Sequence, residues 1–188
     1  MKISVRKTAV CGMLGGLAIF LGVSGLGFIP VPTPAQHATI MHVPVIIGAV
    51  FEGPWAATFI GAIFGLYSFL NASSPYFADP LVSILPRLLI GFVAYGAYIL
   101  LGRGKVAVAG AAIAGTVANT VFVMGMITLR GYLPWKVALA VGLTNGIPEV
   151  VVAVLVVLGV YPVINRIPAM SPAGTRRGEL HARKDSSI

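Results

Sequence analysis

Apolar residues run through this chain in long blocks separated by short polar or turn-forming stretches, without the polar–apolar alternation of a strand. The blocks are residues 8–28, 40–51, 55–70, 81–101, 106–129 and 137–163. A bilayer-crossing helix takes about 20 apolar residues, whereas the strands of a membrane barrel alternate. The pattern therefore predicts an all-α integral membrane bundle of six transmembrane helices. The block at 40–51 rises only about 18 Å at 1.5 Å per residue, so it should borrow from the loop before it or thin its surroundings. That loop carries Pro30, Pro32 and Pro34, which lack amide donors, and should be ordered only by packing over something.

Composition agrees with the pattern. Apolar residues make up 57% of the chain and charged residues 10%, against about 25% charged in a soluble domain. Thirteen basic and five acidic side chains in 188 residues cannot clothe a water-soluble fold. A single cysteine, Cys11, excludes an intrachain disulfide. The first block follows Lys2, Arg6 and Lys7 as a signal peptide would. It exceeds an h-region of about 7 to 15 residues and lacks a small-x-small cleavage site, so it reads as a retained helix.

The formal charge of +8 marks orientation rather than nucleic-acid binding, because the basic residues lie at block ends and in the tail. With a cytoplasmic N-terminus, Lys2, Arg6, Lys7, Arg103, Lys105, Arg166, Arg176, Arg177, Arg183 and Lys184 fall on the cytoplasmic side, and only Arg130 and Lys136 lie outside. Both termini are then cytoplasmic. The expected organisation is a membrane domain over residues 1–167 and a basic disordered tail over 168–188.

Ionisable groups inside spans cost at least about 2.5 to 3.5 kcal/mol, which makes each a functional candidate. Counting about 1.5 Å per residue from the outer helix ends, Arg87 lies about 8 Å deep, Asn145 about 12 Å, Asn119 about 14 Å and Glu149 about 18 Å. These side chains, from three helices, predict a pocket open to the outside. Asn145 and Glu149 share a helical face, and Pro148 between them frees the Thr144 carbonyl. The competing structural reading is a Glu149–Arg87 clamp, which does not preclude ligand contact. His42 at a helix entry serves either structure or ligand, and Gln36 and His37 read as lid residues. The spacing of His37 and His42 does not make a metal pair. Asp79 is expected to cap a helix, with ligand contact as the alternative. Tyr76, Phe77, Tyr132 and Trp135 are outer-loop aromatics suited to the headgroup belt or to stacking on a planar ligand.

Two overlapping small-xxx-small patterns, Cys11 with Gly15 and Gly12 with Gly16, mark helix contacts within the fold or to a partner. Gly22-Val23-Ser24-Gly25 has the form of an intramembrane serine protease motif. The serine ends the first span and no later helix supplies a histidine base, so no enzyme is expected. No cofactor or metal is implied.

Residues 38–54 (ATIMHVPVIIGAVFEGP), 64–69 (FGLYSF), 77–91 (FADPLVSILPRLLIG) and 145–149 (NGIPE) resemble the substrate-binding S components of energy-coupling factor (ECF) vitamin transporters, a similarity covering about residues 4 to 163. The resemblance implies six helices, cytoplasmic termini, a bacterial plasma-membrane location, and an outward vitamin site capped by the first, third and fifth loops. It also implies partnership with a transmembrane coupling subunit and two cytoplasmic ATPases, contacted through the small residues Cys11, Gly12, Gly15 and Gly16 of the first helix. The motifs are most similar to the pantothenate branch, in which Arg87 would suit a carboxylate and Asn119 and Asn145 amide or hydroxyl groups. Neighbouring branches take folate, pyrimidine or cobalamin precursors such as α-ribazole. A different class of function is a self-sufficient carrier or channel acting as an oligomer, although no inverted repeat of the kind such carriers often have is evident.

Overall fold

The computed structural model describes residues 5–30, 37–72 and 74–166. Helix α1 (Val5–Val23) starts earlier and stops sooner than the 8–28 block. It ends where the Ser24 hydroxyl turns back to the Phe20 carbonyl, 2.6 Å away, and Gly25 takes a positive φ of 75°. Phe28 therefore lies in a strand. Strand β1 (Phe28–Pro30) pairs antiparallel with β2 (His37–Thr39), Phe28 opposite Thr39 and Pro30 opposite His37. The residues flanking the proline-rich stretch, which the sequence expects to be ordered only by packing over something, thus pair as two short strands. Pro30 ends its strand, where a missing N–H costs the ladder least.

Helices α2 (Val43–Glu52) and α3 (Pro54–Leu70) meet at Gly53, whose φ of 95° turns the chain, and Pro54 opens α3 where its missing amide is harmless. A 3-10 turn (Pro75–Ala78) leads into α4 (Pro80–Ser83), then α5 (Leu85–Leu100), α6 (Lys105–Leu129) and α7 (Trp135–Asn165). The stretches Val5–Val23, Pro80–Leu100, Lys105–Leu129 and Trp135–Ile164 are long and apolar enough to cross a membrane, whereas Val43–Glu52 and Pro54–Leu70 are shorter apolar helices.

The short second block has a simpler explanation than borrowing from the loop or thinning its surroundings. Every residue of α2 is buried, and the helix packs against α1, α3, α5, α6 and α7. Apart from Glu52 at its end, α2 is apolar all round, and with neighbours on every side it is a core element. Around this peg the outer surfaces are apolar, with Met13, Phe20, Val121, Leu143 and Leu155 all exposed.

The backbones of α3 and α5 approach closely because Gly61 faces the Arg87 carbonyl and Gly65 lies over Ile84 and Ser83. At the terminus end of the bundle Arg6 Nη2 meets the buried Glu52 Oε1 at 2.7 Å, tying α1 to α2. At the opposite end sit the hairpin, the 3-10 turn and the α6–α7 connection.

Candidate functional site

Beneath the hairpin end the polar side chains converge on one turn of α6. Thr116, Asn119 and Thr120 follow one another at helical spacing and face inward. His42 precedes the first residue of α2, is wholly buried, and places Nε2 2.9 Å from the Thr116 hydroxyl. Its Nδ1 is buried without a hydrogen-bond partner. Asn119 is also buried, and its Oδ1 has no partner.

Glu149 approaches the same turn from α7. Its Oε1 accepts from the Thr39 amide at 2.9 Å and faces the Thr39 hydroxyl at 3.3 Å, and its Oε2 lies 3.5 Å from the Thr120 hydroxyl. Gly142 and Gly146 lie beside Thr120: a Cβ on either would sit in ordinary van der Waals contact with the Thr120 side chain, at 3.5 Å. Asn145, one turn before Glu149, is half-buried and makes contacts of its own.

Arg87 enters from α5. Its Nη1 donates to the Val82 carbonyl at 2.7 Å, and its guanidinium carbon lies 5.3 Å from the Phe64 ring and 5.1 Å from the Phe77 ring. The flat cation is thus flanked by two aromatic faces. Its Nε is buried without a partner. The Arg87–Glu149 clamp of the competing structural reading is not formed among the described residues. Arg87 is spent on the Val82 carbonyl and the two rings and Glu149 on the hairpin, although Arg87 is within electrostatic reach of both His42 and Glu149.

Asp79 belongs to a neighbouring cluster. It caps α4 through Oδ1 to the Leu81 amide at 2.9 Å, while Oδ2 accepts from Arg130 Nε at 2.6 Å and the Tyr132 hydroxyl at 3.2 Å. The Arg130 guanidinium holds the Asp79 carboxyl below its ordinary value of 3.8, and the carboxylate raises Arg130 in turn. Tyr76 packs on Tyr132 with ring centroids 5.7 Å apart. Ser83 donates to the Phe77 carbonyl at 2.5 Å, so the turn holding Tyr76 and Asp79 also fixes the ring over Arg87.

Of the expected lid residues, Gln36 lies outside the described residues, as does the tail from 168 to 188, and His37 supplies backbone to β2. Sequence reasoning missed Thr39, Thr116, Thr120 and Phe64. The signal available for two of them was a pair of threonines flanking Asn119 on a helix otherwise built of small and apolar residues. A groove of about 720 Å³ lies between α6 and α7, walled by Val117, Val121, Leu143 and Ile147 among others. It touches the polar cluster at Thr120, and Arg87, Asn119, Asn145 and Glu149 do not line it.

On α1 the two small-residue patterns separate. Cys11 and Gly15 are buried toward α3: the Cys11 thiol is 3.9 Å from the Ala56 carbonyl, and a Cβ on Gly15 would meet Ile63 at 2.5 Å. Gly12 and Gly16 face outward, and a Cβ added to either would meet nothing within 4 Å.

Residues 6–161 match the family model for the ECF transporter, substrate-specific component. The pantothenic acid transporter PanT of Lactococcus lactis subsp. cremoris (strain MG1363) is 29% identical over 160 residues, covering 72% of this chain and 81% of that protein. The solved structure of ThiT from Listeria monocytogenes superimposes with a TM-score of 0.64 at 17% identity, and that of the S component of a bacterial ECF transporter with 0.63 at 20%. Each covers 86% of this chain and 96% of its own. The fold is thus shared with known S components, and the chain belongs to the substrate-specific components of ECF transporters.

Proposed function

We propose that this chain is the vitamin-binding subunit of an ATP-driven importer in the bacterial plasma membrane, with pantothenate as its substrate. The observation that carries the reading is the set of unsatisfied polar atoms beneath the hairpin end: Arg87 Nε, Asn119 Oδ1 and His42 Nδ1 are all buried without partners among the described residues. Such atoms are costly unless a ligand or water meets them. A donor on a fixed cation suits a carboxylate, and an amide acceptor suits a hydroxyl or amide N–H. Pantothenate offers all of these groups, and the likeness to PanT supports the same choice. Tyr76, Asp79, Asn145 and Glu149 frame the site in this reading, with Asp79 and Glu149 holding its walls.

The proposed topology has six membrane-embedded helices, both termini cytoplasmic and the hairpin end outside, supported by the distribution of basic residues. The proposed partners are a transmembrane coupling subunit and two cytoplasmic ATPases, since the chain has no phosphate-binding loop to supply the energy. Gly12 and Gly16 are the surface offered to the coupling subunit, and Cys11 and Gly15 serve the fold instead. Calorimetric titration of the purified protein with pantothenate, α-ribazole, folate and thiamine precursors tests the assignment. Pantothenate should bind tighter than about 1 μM, or about −8 kcal/mol. Failure of all four to reach that affinity would overturn the vitamin-binding reading.

A further inference from the structure

We propose that the groove between α6 and α7 holds one alkyl chain of an anionic phospholipid, drawn from the leaflet at the end of the bundle where those helices connect, with the lipid phosphate on Lys136. The inference needs the chain to lie in a bilayer and does not depend on which vitamin it binds. The groove walls run from Ile113 to Leu129 on α6 and from Trp135 to Val151 on α7, about 24 Å along each helix at 1.5 Å per residue. One leaflet of hydrocarbon is about 15 Å deep, so a whole chain fits along it. Gly125, Gly142 and Gly146 belong to the walls and have no side chain to fill the space.

The polarity and width of the groove select its occupant. Thr120 turns its hydroxyl away to the Thr116 carbonyl at 3.2 Å, and the walls are otherwise almost wholly apolar. An ordered water needs two to four polar partners, so this is a place for hydrocarbon. A volume of about 720 Å³ over about 24 Å leaves a cross-section of about 30 Å². A helix at least about 10 Å across takes about 80 Å² and cannot enter. Alkyl chains touch at carbon separations of about 4 Å, so one chain takes about 20 Å² and does enter.

Charge at the mouth selects the headgroup. Arg130 follows Leu129 and Lys136 follows Trp135, and both of those neighbours line the groove. Arg130 is tied to Asp79, whereas Lys136 has no ion pair among the described residues. The Lys136 Nζ stands 5.9 Å from the centroid of the Trp135 ring, which holds an uncompensated ammonium over one wall of the opening. A single lysine at a membrane surface is worth about a fivefold preference for an anionic headgroup.

The test uses the full chain in vesicles of equal phosphatidylglycerol and phosphatidylcholine. The chain has two tryptophans, so Trp55→Phe leaves Trp135 as the reporter at the groove mouth. Its quenching by lipids brominated along their chains, one lipid at a time, should give phosphatidylglycerol about a fivefold advantage. In the same background Lys136→Gln should bring the two lipids to parity. Gly125→Leu and Gly142→Leu, which place side chains in the groove, should weaken both lipids about tenfold, through lost chain contacts. Lys136 is exposed, so its variant keeps the test decisive if a leucine variant does not fold. Quenching that is equal for the two lipids in wild-type background, or unchanged in every variant, would overturn the proposal. A dimer in detergent that the leucine variants convert to monomer would give the groove to a second copy. Loss of the proposed coupling subunit from those variants, with lipid binding intact, would give it to that partner. Either result also overturns the lipid site. Pantothenate titration of the same proteins keeps the two readings apart, since the lipid measurement is decided whether or not the vitamin binds.

Discussion

Asp79 Oδ2 lies 2.6 Å from Arg130 Nε, so one carboxylate ties the turn before α4 to the connection after α6. The bond to Arg130 is the main cause that holds the Asp79 carboxyl below 3.8, helped by the Leu81 amide and the Tyr132 hydroxyl. A carboxylate whose folded pKa is depressed adds stability above its unfolded value and loses it as pH falls through the folded one. The tie should therefore hold at neutral and mildly acidic pH and release only below the ordinary carboxylate range. Near-ultraviolet circular dichroism of the Tyr76–Tyr132 pair should report that release, and Arg130→Gln should shift it to higher pH. Because the Arg130 side chain is half exposed, the effect should be local to this end of the bundle.

Arg87 is flanked by rings as well as charged, and the two properties can be separated. Arg87→Ala should weaken pantothenate binding more than about tenfold, about 1.4 kcal/mol or more, through loss of a charge-assisted contact. Arg87→Lys retains the charge and loses the planar fork between Phe64 and Phe77, and should fall between wild type and Ala. Calorimetry that finds carboxylate ligands bound equally well by all three proteins would place the anion site elsewhere.

The outward and inward glycines of α1 should respond oppositely to the same substitution. Gly12→Leu and Gly16→Leu have open space and should leave thermal unfolding unchanged while preventing copurification with the proposed coupling subunit. Gly15→Leu must displace Ile63 and should cost about 1 to 3 kcal/mol of stability.

Gly61→Ala should destabilise the fold by about 1 to 3 kcal/mol through overpacking, because its new methyl would strike the Arg87 carbonyl, a backbone atom that cannot rotate away. By moving α5, the same change should also lower ligand affinity, measurable in one titration alongside thermal unfolding.

Much of this architecture was legible in the sequence because hydropathy over about 20 residues reports membrane-crossing helices directly. Arg87, Asn119 and Glu149, which the sequence singles out as polar groups inside apolar blocks, are all buried within the protein. What depth leaves open is azimuth and the path of connecting chain. The alternative that pairs Glu149 with Arg87 rests on opposite charges within reach, yet each finds a nearer partner on backbone or ring that no charge pattern announces. Thr39 reached Glu149 through a hairpin whose strands are three residues each, too short for any period to show. Thr116 and Thr120 were passed over because a threonine satisfying a neighbour looks, in sequence, like one satisfying its own helix. In the block at 40–51 the length is less informative than the unbroken apolar run from Val43 to Phe51, the sign of a core helix.

The enclosure of α2 bears on how the chain is made. Its ten residues rise about 15 Å, too little to halt in a translocation channel as an independent anchor. The Gly53 turn places it back to back with α3, so the two should partition into lipid together as one helical hairpin during synthesis. A ribosome stalled with only α2 emerged would then hold an unanchored segment, and commitment of this region to the bilayer would await its neighbour.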